Sequence, residues 1–545
     1  MAHDDQCGPE GEHSTTGVTG ESDGNRTDQP GDGDSLTDAE EGEKSLLTRR
    51  DALKMGATAA AIATGAAVTS GPAAAAERYG IEFSRVVDAV EDLGMDPSGN
   101  EPIDDALQAT IDEEGVLVEF PPGEYYVREE HSEGSLSNWG MRGLGDDPTD
   151  VRLVTDQGNS LRVLNVGGGS GLLFENVAFD YGDDWEGSMG INLKVSDDLR
   201  VQDVHFVGHN PTRNNGAVDN LNPQVLDPDG RAVVDGLVRT GPTEITSHGH
   251  LGDDSNEGVM WLGPKHEGEL VVRNTHIANT GTNAIYCRSP PGDIKVENCL
   301  FRNNNQTAFR IGGDGCYIRD TEFVVDTDNA HPDNRGEFIN PHCIIYETGD
   351  RGESGGYIEN CEFVYRSAPS RTAAAFWADG SASDFEIRNC RFQLDADDVS
   401  AVRVDDPTEP RLGTTADRPW GVTLDGVSIT GSASLSDPAV QLYNRDASVI
   451  RNSCLQLTGN ADGILLEDSD DSVVEDTNVN VTGQATILNS ANVETSNITD
   501  ADSCPGPELD WDGSGSTDST DSTDGGGDST SSSSTTLPNE LTVTG

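Results

Sequence analysis

The chain has 545 residues, with 98 Asp and Glu against 34 Lys and Arg, a formal net charge of −64 at pH 7. Such an excess of acid excludes nucleic acid as a partner, because phosphate contacts need clustered Lys and Arg, and it disfavours anionic membrane surfaces. The apolar share is 34%, but the 63 Gly bring it near the ordinary ~45% once glycine is counted, so a core can form.

Lysine stands only at positions 44, 54, 194, 265 and 295, so 29 of the 34 bases are arginine. Many carboxylates with almost no lysine is similar to salt-adapted proteins, in which a carboxylate shell stays solvated and high ionic strength screens its self-repulsion. A generic acidic protein is the alternative. Residues 1–45 are polar and lack periodicity, which predicts disorder. Residues 46–76 begin with Thr48-Arg49-Arg50-Asp51-Ala52-Leu53-Lys54, continue through a mildly apolar stretch and end in Ala73-Ala74-Ala75-Ala76. They resemble a twin-arginine export signal. Cleavage after Ala75 or Ala76 would leave a chain starting near Glu77, secreted or at the cell surface, with no membrane insertion after cleavage.

Next come Leu93-Gly94-Met95-Asp96-Pro97-Ser98-Gly99, an amphipathic stretch at 103–111 that predicts a helix, and the apolar run from Gly115 to Phe120. From there one motif recurs: apolar, any, Asn or Asp, any, any, apolar. Copies include Phe174-Glu175-Asn176-Val177-Ala178-Phe179, Val272-Arg273-Asn274-Thr275-His276-Ile277, Val296-Glu297-Asn298-Cys299-Leu300-Phe301 and Ile358-Glu359-Asn360-Cys361-Glu362-Phe363. Asn and Asp suit a fixed turn position because they tolerate left-handed backbone. A second short strand precedes each copy, as in Ala284-Ile285-Tyr286-Cys287-Arg288 and Ala308-Phe309-Arg310-Ile311-Gly312. Period-2 alternation in short runs, repeating at intervals of roughly 20–40 residues, predicts an all-β solenoid over 77–505, with a sandwich or propeller as the alternative.

The pattern resembles the right-handed parallel β-helix of the pectin-lyase-like superfamily over residues 80–505, with 103–111 as its N-terminal capping helix. The resemblance implies ten to twelve coils and a saccharide groove on the outer face of the first strand of each coil. The superfamily holds lyases, hydrolases, epimerases and non-catalytic adhesins; the expectation here is a polysaccharide lyase or glycoside hydrolase, with a non-catalytic cell-surface or carbohydrate-binding solenoid as the alternative. In the small-apolar-x-apolar-x strand, positions three and five point outward. The third-position row reads Asn192, Met260, Tyr286, Arg310, Ile345, Trp377, Arg403 and Gln441; the fifth reads Lys194, Leu262, Arg288, Gly312, Glu347, Asp379, Asp405 and Tyr443. Tyr286 and Trp377 could stack on sugar rings, and Arg403 and Lys194 could pair with uronate or sulfate. Arg310 and Arg288 are the candidate charge stabilisers or bases, and Glu347, Asp379 and Asp405 the candidate carboxylates. An acidic polysaccharide is the expected partner, met by a monomer, and Ca²⁺ the one cofactor the resemblance suggests. A solvated strip of Arg paired with neighbouring acids is the competing reading.

Between 206 and 258 lies an insertion long enough for a loop and one coil around 233–238. It holds His248, His250, Asp253 and Asp254, a metal-site candidate against the plainer reading of a polar turn. A second insertion, 325–342, carries His331, Arg335 and His342 to the same region. Cys299, Cys361 and Cys390 share one repeat position and are expected to stack as small apolar residues, with a Cys361–Cys390 bridge as the alternative. Sequons stand at Asn305, Asn480 and Asn497. Residues 506–536 form a Ser/Thr/Asp/Gly-rich linker, and 537–545 read as the stub of a C-terminal β module.

Overall fold

The structure is a computed structural model that describes residues 75–246, 257–288, 291–349, 353–411 and 413–507. Each coil offers alternating apolar residues to a shared lumen, and parallel pairing between successive coils satisfies the backbone. The result is a right-handed parallel β-helix. One sheet of thirteen parallel strands runs from His131–Glu133 to Thr486–Asn489. Two further ladder rows complete the coil, joined where strands such as Ser170–Asp180 and Asp197–Val207 turn the corner. Thirteen strands exceed the ten to twelve coils expected. The coils whose first strands are His131–Glu133, Leu161–Val166 and Leu221–Val225 carry no small-apolar signature.

The Asn/Asp motif has a conformational cause. Asn176, Asp203, Asn274, Asn298, Asp320, Asn360, Asn389, Asn452, Asp476 and Asn497 all lie at φ between 46 and 54°. Some also bond up the stack, with Asn298 Nδ2 donating to Asn274 Oδ1 at 2.7 Å and Asn497 Nδ2 to Asp476 Oδ1 at 2.7 Å. In two coils the series skips, and there Gly236 (φ 75°) and Gly426 (φ 69°) hold the same turn. Three residues further on, Phe301, Phe323, Phe363 and Phe392 stack inside the lumen with centroids 4.4–5.4 Å apart and rings within 14° of parallel. The helix Asp104–Ile111 closes the N-terminal end, burying Leu107 and Ile111, while Thr110 Oγ1 accepts from Trp139 Nε1 at 3.3 Å.

Most arginines are used outside the lumen, where an acid–base ladder climbs the second face. Asp235, Arg273, Glu297, Arg319, Glu359, Arg388, Asp425, Arg451 and Glu475 follow one another in register. Pairs close at 2.8 Å for Arg273–Asp235, 2.8 Å for Arg319–Glu297 and 2.9 Å for Arg451–Asp425. Cys299, Cys361 and Cys390 are buried thiols, so the Cys361–Cys390 bridge does not form. The disulfide is Cys454–Cys504, which ties the segment after the last strand back to an earlier coil. Glycosylation at Asn305 is contradicted as well, because its side chain is fully buried and donates to Gly281 O at 2.8 Å.

Candidate functional site

Strand register settles which side chains share the outer face of the thirteen-stranded sheet. Asn165, Asn192 and Asn222 stack in one row. Higher up, Trp261, Tyr286, Arg310, Ile345, Trp377, Arg403 and Gln441 continue it, at about 4.8 Å per coil. Met260 pairs with Ile285 and is buried in the lumen, as is Leu262. The frame of that coil is therefore one residue later than the small-residue anchor Gly258 implies, and Trp261, 37% exposed, takes the outward place. Aligning Val259-Met260 with Ala284-Ile285 would have found it. Asn222 and Gln224 were missed because Leu221–Val225 has a proline where the pattern wants an apolar residue.

Arg310 is nearly fully buried. Its Nε donates to Glu347 Oε1 at 2.5 Å, its guanidinium lies 4.7 Å from the Tyr286 ring centre, and Arg288 Nε stands 3.5 Å from Glu347 Oε2. Burial works against the Arg310 charge, but the Glu347 carboxylate and Tyr286 outweigh it and raise its pKa above the usual guanidinium value. Arg310 is thus a fixed cation, suited to stabilising charge and unsuited to acting as a base. Arg310 Nη2 and Glu347 Oε2 are buried without a hydrogen-bond partner. Lys194 sits on the same face, three coils below the level of Arg288.

Above this trio, Asp379 is buried and accepts backbone N–H groups from Ser381 at 3.0 Å and Arg411 at 2.9 Å. Asp405 accepts from Trp377 Nε1 at 2.7 Å and Arg403 Nε at 2.8 Å. The Arg411 guanidinium lies 4.6 Å from the Trp377 ring centre and that of Arg403 5.5 Å. Arg411 arrives on a segment that folds back over the strand ends, where Thr414 N–H reaches Gly349 O at 3.1 Å. Fully buried Arg445 fixes the turn below with bonds to Asp405 O (2.9 Å), Ala382 O (2.8 Å) and Ser383 O (3.1 Å), and burial lowers its pKa to about 10. His342, buried with its ring 5.2 Å from Trp377, pairs through Nδ1 with Ala374 O at 2.8 Å, and burial pushes its pKa down to about 4.

His248, His250, Asp253 and Asp254 lie outside the described residues. Among the described residues no three His, Cys, Asp or Glu side chains converge as metal ligands would. Glu347 faces two arginines, and Asp379 and Asp405 are each held by N–H donors, so this part of the face does not fit Ca²⁺. The turn Asp227-Pro228-Asp229-Gly230 closes with Gly230 N–H on Asp227 O at 2.9 Å, a plain β-turn. The two insertions do meet: Ile245 N–H donates to Arg335 O at 2.7 Å, and the Arg335 guanidinium lies 4.2 Å from the Trp185 ring centre.

No protein-family model and no curated protein matches the chain. Among solved structures it is similar to the A-module of mannuronan C-5 epimerase AlgE4 of Azotobacter vinelandii, at 13% identity and TM-score 0.44 over 76% of this chain and 97% of that one. It is also similar to a mutant tailspike protein of E. coli bacteriophage HK620, at 12% identity and TM-score 0.41 over 75% and 80%. A Family 28 exopolygalacturonase of Yersinia enterocolitica follows at 11% identity and TM-score 0.32 over 78% and 80%.

Proposed function

We propose that this is an exported, salt-adapted protein that binds an acidic polysaccharide along the outer face of its thirteen-stranded sheet. The observation that carries the reading is the row itself. Trp261 and Tyr286 lie on successive coils, Arg310 follows, and Trp377 stands higher up with Arg403 and Arg411 against it. Flat rings offer a stacking surface for sugar, and the guanidinium groups beside them offer forked donors for carboxylate or sulfate. At about 1 M salt the screening length falls to about 3 Å, so contact hydrogen bonds and stacking carry the affinity rather than long-range attraction.

A second reading adds catalysis, by elimination or hydrolysis. What favours it is the trio of Arg288, Arg310 and Glu347, in which Arg288 Nε, Arg310 Nη2 and Glu347 Oε2 are buried without a hydrogen-bond partner. In either reaction Arg310 would act as a fixed cation that stabilises negative charge on the substrate carboxylate.

The test is incubation of the folded chain in high salt with a panel of polyuronates and sulfated glycans, with Ca²⁺ and with chelator. Retention on a polyuronate column, lost in Trp377→Ala, is the expected result. New ultraviolet absorbance from an unsaturated product would mean a lyase, and new reducing ends without it a hydrolase. No retention on any acidic glycan would overturn the proposal.

A further inference from the structure

Among the described residues two arginines are entirely enclosed, and they differ in how their donors are spent. Arg445 places all three nitrogens on backbone carbonyls, Nη2 reaching Asp379 O at 3.5 Å. Arg239 does not. It ends the short strand Val238–Arg239, pairs in register with Ile277, and so occupies the lumen row that Ile277 and Phe301 continue. A charged residue stands where the other coils place a hydrocarbon.

Only Nη1 of Arg239 is bonded, to Gly241 O (3.2 Å), Ala278 O (3.1 Å) and Asn279 O (3.1 Å). Nε and Nη2 are buried with no partner, and no carboxylate among the described residues pairs with the side chain. Those two nitrogens are the ones whose N–H bonds run side by side, the edge of the guanidinium that grips an anion. An enclosed cation is strongly unfavourable unless it is compensated, and each unmade bond adds to that cost. Around it the two insertions are joined by Thr243 N–H to Asn334 Oδ1 at 2.9 Å and Ile245 N–H to Arg335 O at 2.7 Å, and His331 N–H ties the second of them to Asn279 Oδ1 at 3.2 Å. His209 Nδ1, Asn210 Oδ1 and Asn334 Nδ2, in the same pair of loops, are also buried without partners.

We propose that the free Nε/Nη2 edge of Arg239 binds one small anion, chloride, which neutralises the buried guanidinium and locks the two insertion loops together. Full enclosure selects a halide-sized ion over a polyatomic ligand. The site is distinct from the polysaccharide face, since Arg239 belongs to the lumen and lies outside the thirteen-stranded sheet.

The experiment is thermal unfolding of the full chain at constant potassium and constant ionic strength, with chloride replaced stepwise by glutamate. For the wild-type chain a saturable rise of a few degrees with chloride is expected, with bromide substituting for it. Arg239→Gln should abolish that response, whereas Arg445→Lys should keep it. Where Arg239→Gln does not fold, bromide anomalous scattering from wild-type crystals decides: a peak at the Nε/Nη2 edge supports the site. Equal melting in chloride and glutamate, an undiminished chloride response in Arg239→Gln, or no bromide peak would overturn it.

Discussion

Arg310 donates from Nε to Glu347 Oε1 at 2.5 Å, and both side chains are buried on the outer face of the thirteen-stranded sheet, between half-exposed Tyr286 and Trp377. Removing one member of a buried pair strands the other charge. Arg310→Ala and Glu347→Ala should each cost about 3–5 kcal/mol, while a double replacement by Met at 310 and Leu at 347 should recover most of the loss. Urea unfolding in high salt measures this. Single variants within about 1 kcal/mol of wild type would show that the pair is not sealed off from water.

The proposed polysaccharide face and the acid–base ladder both carry arginine, and they predict different phenotypes. On the ladder, Arg319 and Arg388 are paired with Glu297 and Glu359 and stack on Tyr317 and Tyr357. On the proposed binding face, Trp261→Ala and Trp377→Ala should weaken polyuronate binding roughly 3–10-fold each by loss of one stacked ring. Arg319→Gln and Arg388→Gln should leave it unchanged. Calorimetric titration with one oligouronide separates the two sets, and equal losses in both would move binding off the thirteen-stranded sheet.

How far the sequence reached follows from what each position has to satisfy. Asn298 and Asn360 are legible because a left-handed turn tolerates few residue types and the same turn recurs in coil after coil from Asn176 onward. The two skipped coils used Gly236 and Gly426, which meet the same requirement but read as ordinary glycines. Alternation locates Tyr286, Arg310, Trp377 and Arg403 on one face, yet slips by one residue at Met260, because Gly258 mimics the small residue that opens the other strands. Arg445, Arg411 and Arg239 were out of reach. Their environments are made by segments distant along the chain, such as the fold-back that brings Arg411 to Asp379, and no local pattern encodes them. The disulfide partner Cys504 was likewise hidden, since it lies after the last repeat and obeys no period.

The net charge predicts a stability that rises with salt. The ladder satisfies its carboxylates locally, but 98 acids against 34 bases leave most of the negative charge uncompensated and mutually repelling. Raising KCl from about 0.1 M to about 1 M shortens the screening length from about 10 Å to about 3 Å. The melting temperature should climb through that range. A flat or falling curve would contradict a salt-adapted surface.

His342 gives the chain a specific acid weakness. Its pKa falls from the ordinary 6.5 to about 4 in the fold because burial disfavours the imidazolium. The unfolded chain therefore binds the proton first. Stability from this residue is complete above about pH 6.5 and is lost as pH falls towards 4, by at most about 3 kcal/mol. His342→Gln should flatten the pH dependence of unfolding across that window. An unchanged slope would mean that other groups set it.

The Cys454–Cys504 bridge closes a loop of about fifty residues over the end of the solenoid, where edge strands are otherwise open. The segment it holds also bonds laterally: Asn478 Nδ2 donates to Ala501 O at 3.0 Å and Gln456 Nε2 to Asp502 O at 2.9 Å. A loop of that size corresponds to about 4 kcal/mol of restricted unfolded-state entropy. Cys504→Ser should thus lower the melting temperature and expose the last coils first, seen as faster hydrogen exchange in Val473–Asn480 than in Val296–Phe301 strands nearer the middle. The six buried thiols should stay unreactive in the same variant until it unfolds, since each is enclosed in the lumen or beside it. Alkylation of Cys361 or Cys390 in the folded variant would show instead that the bridge holds the whole solenoid rather than its end.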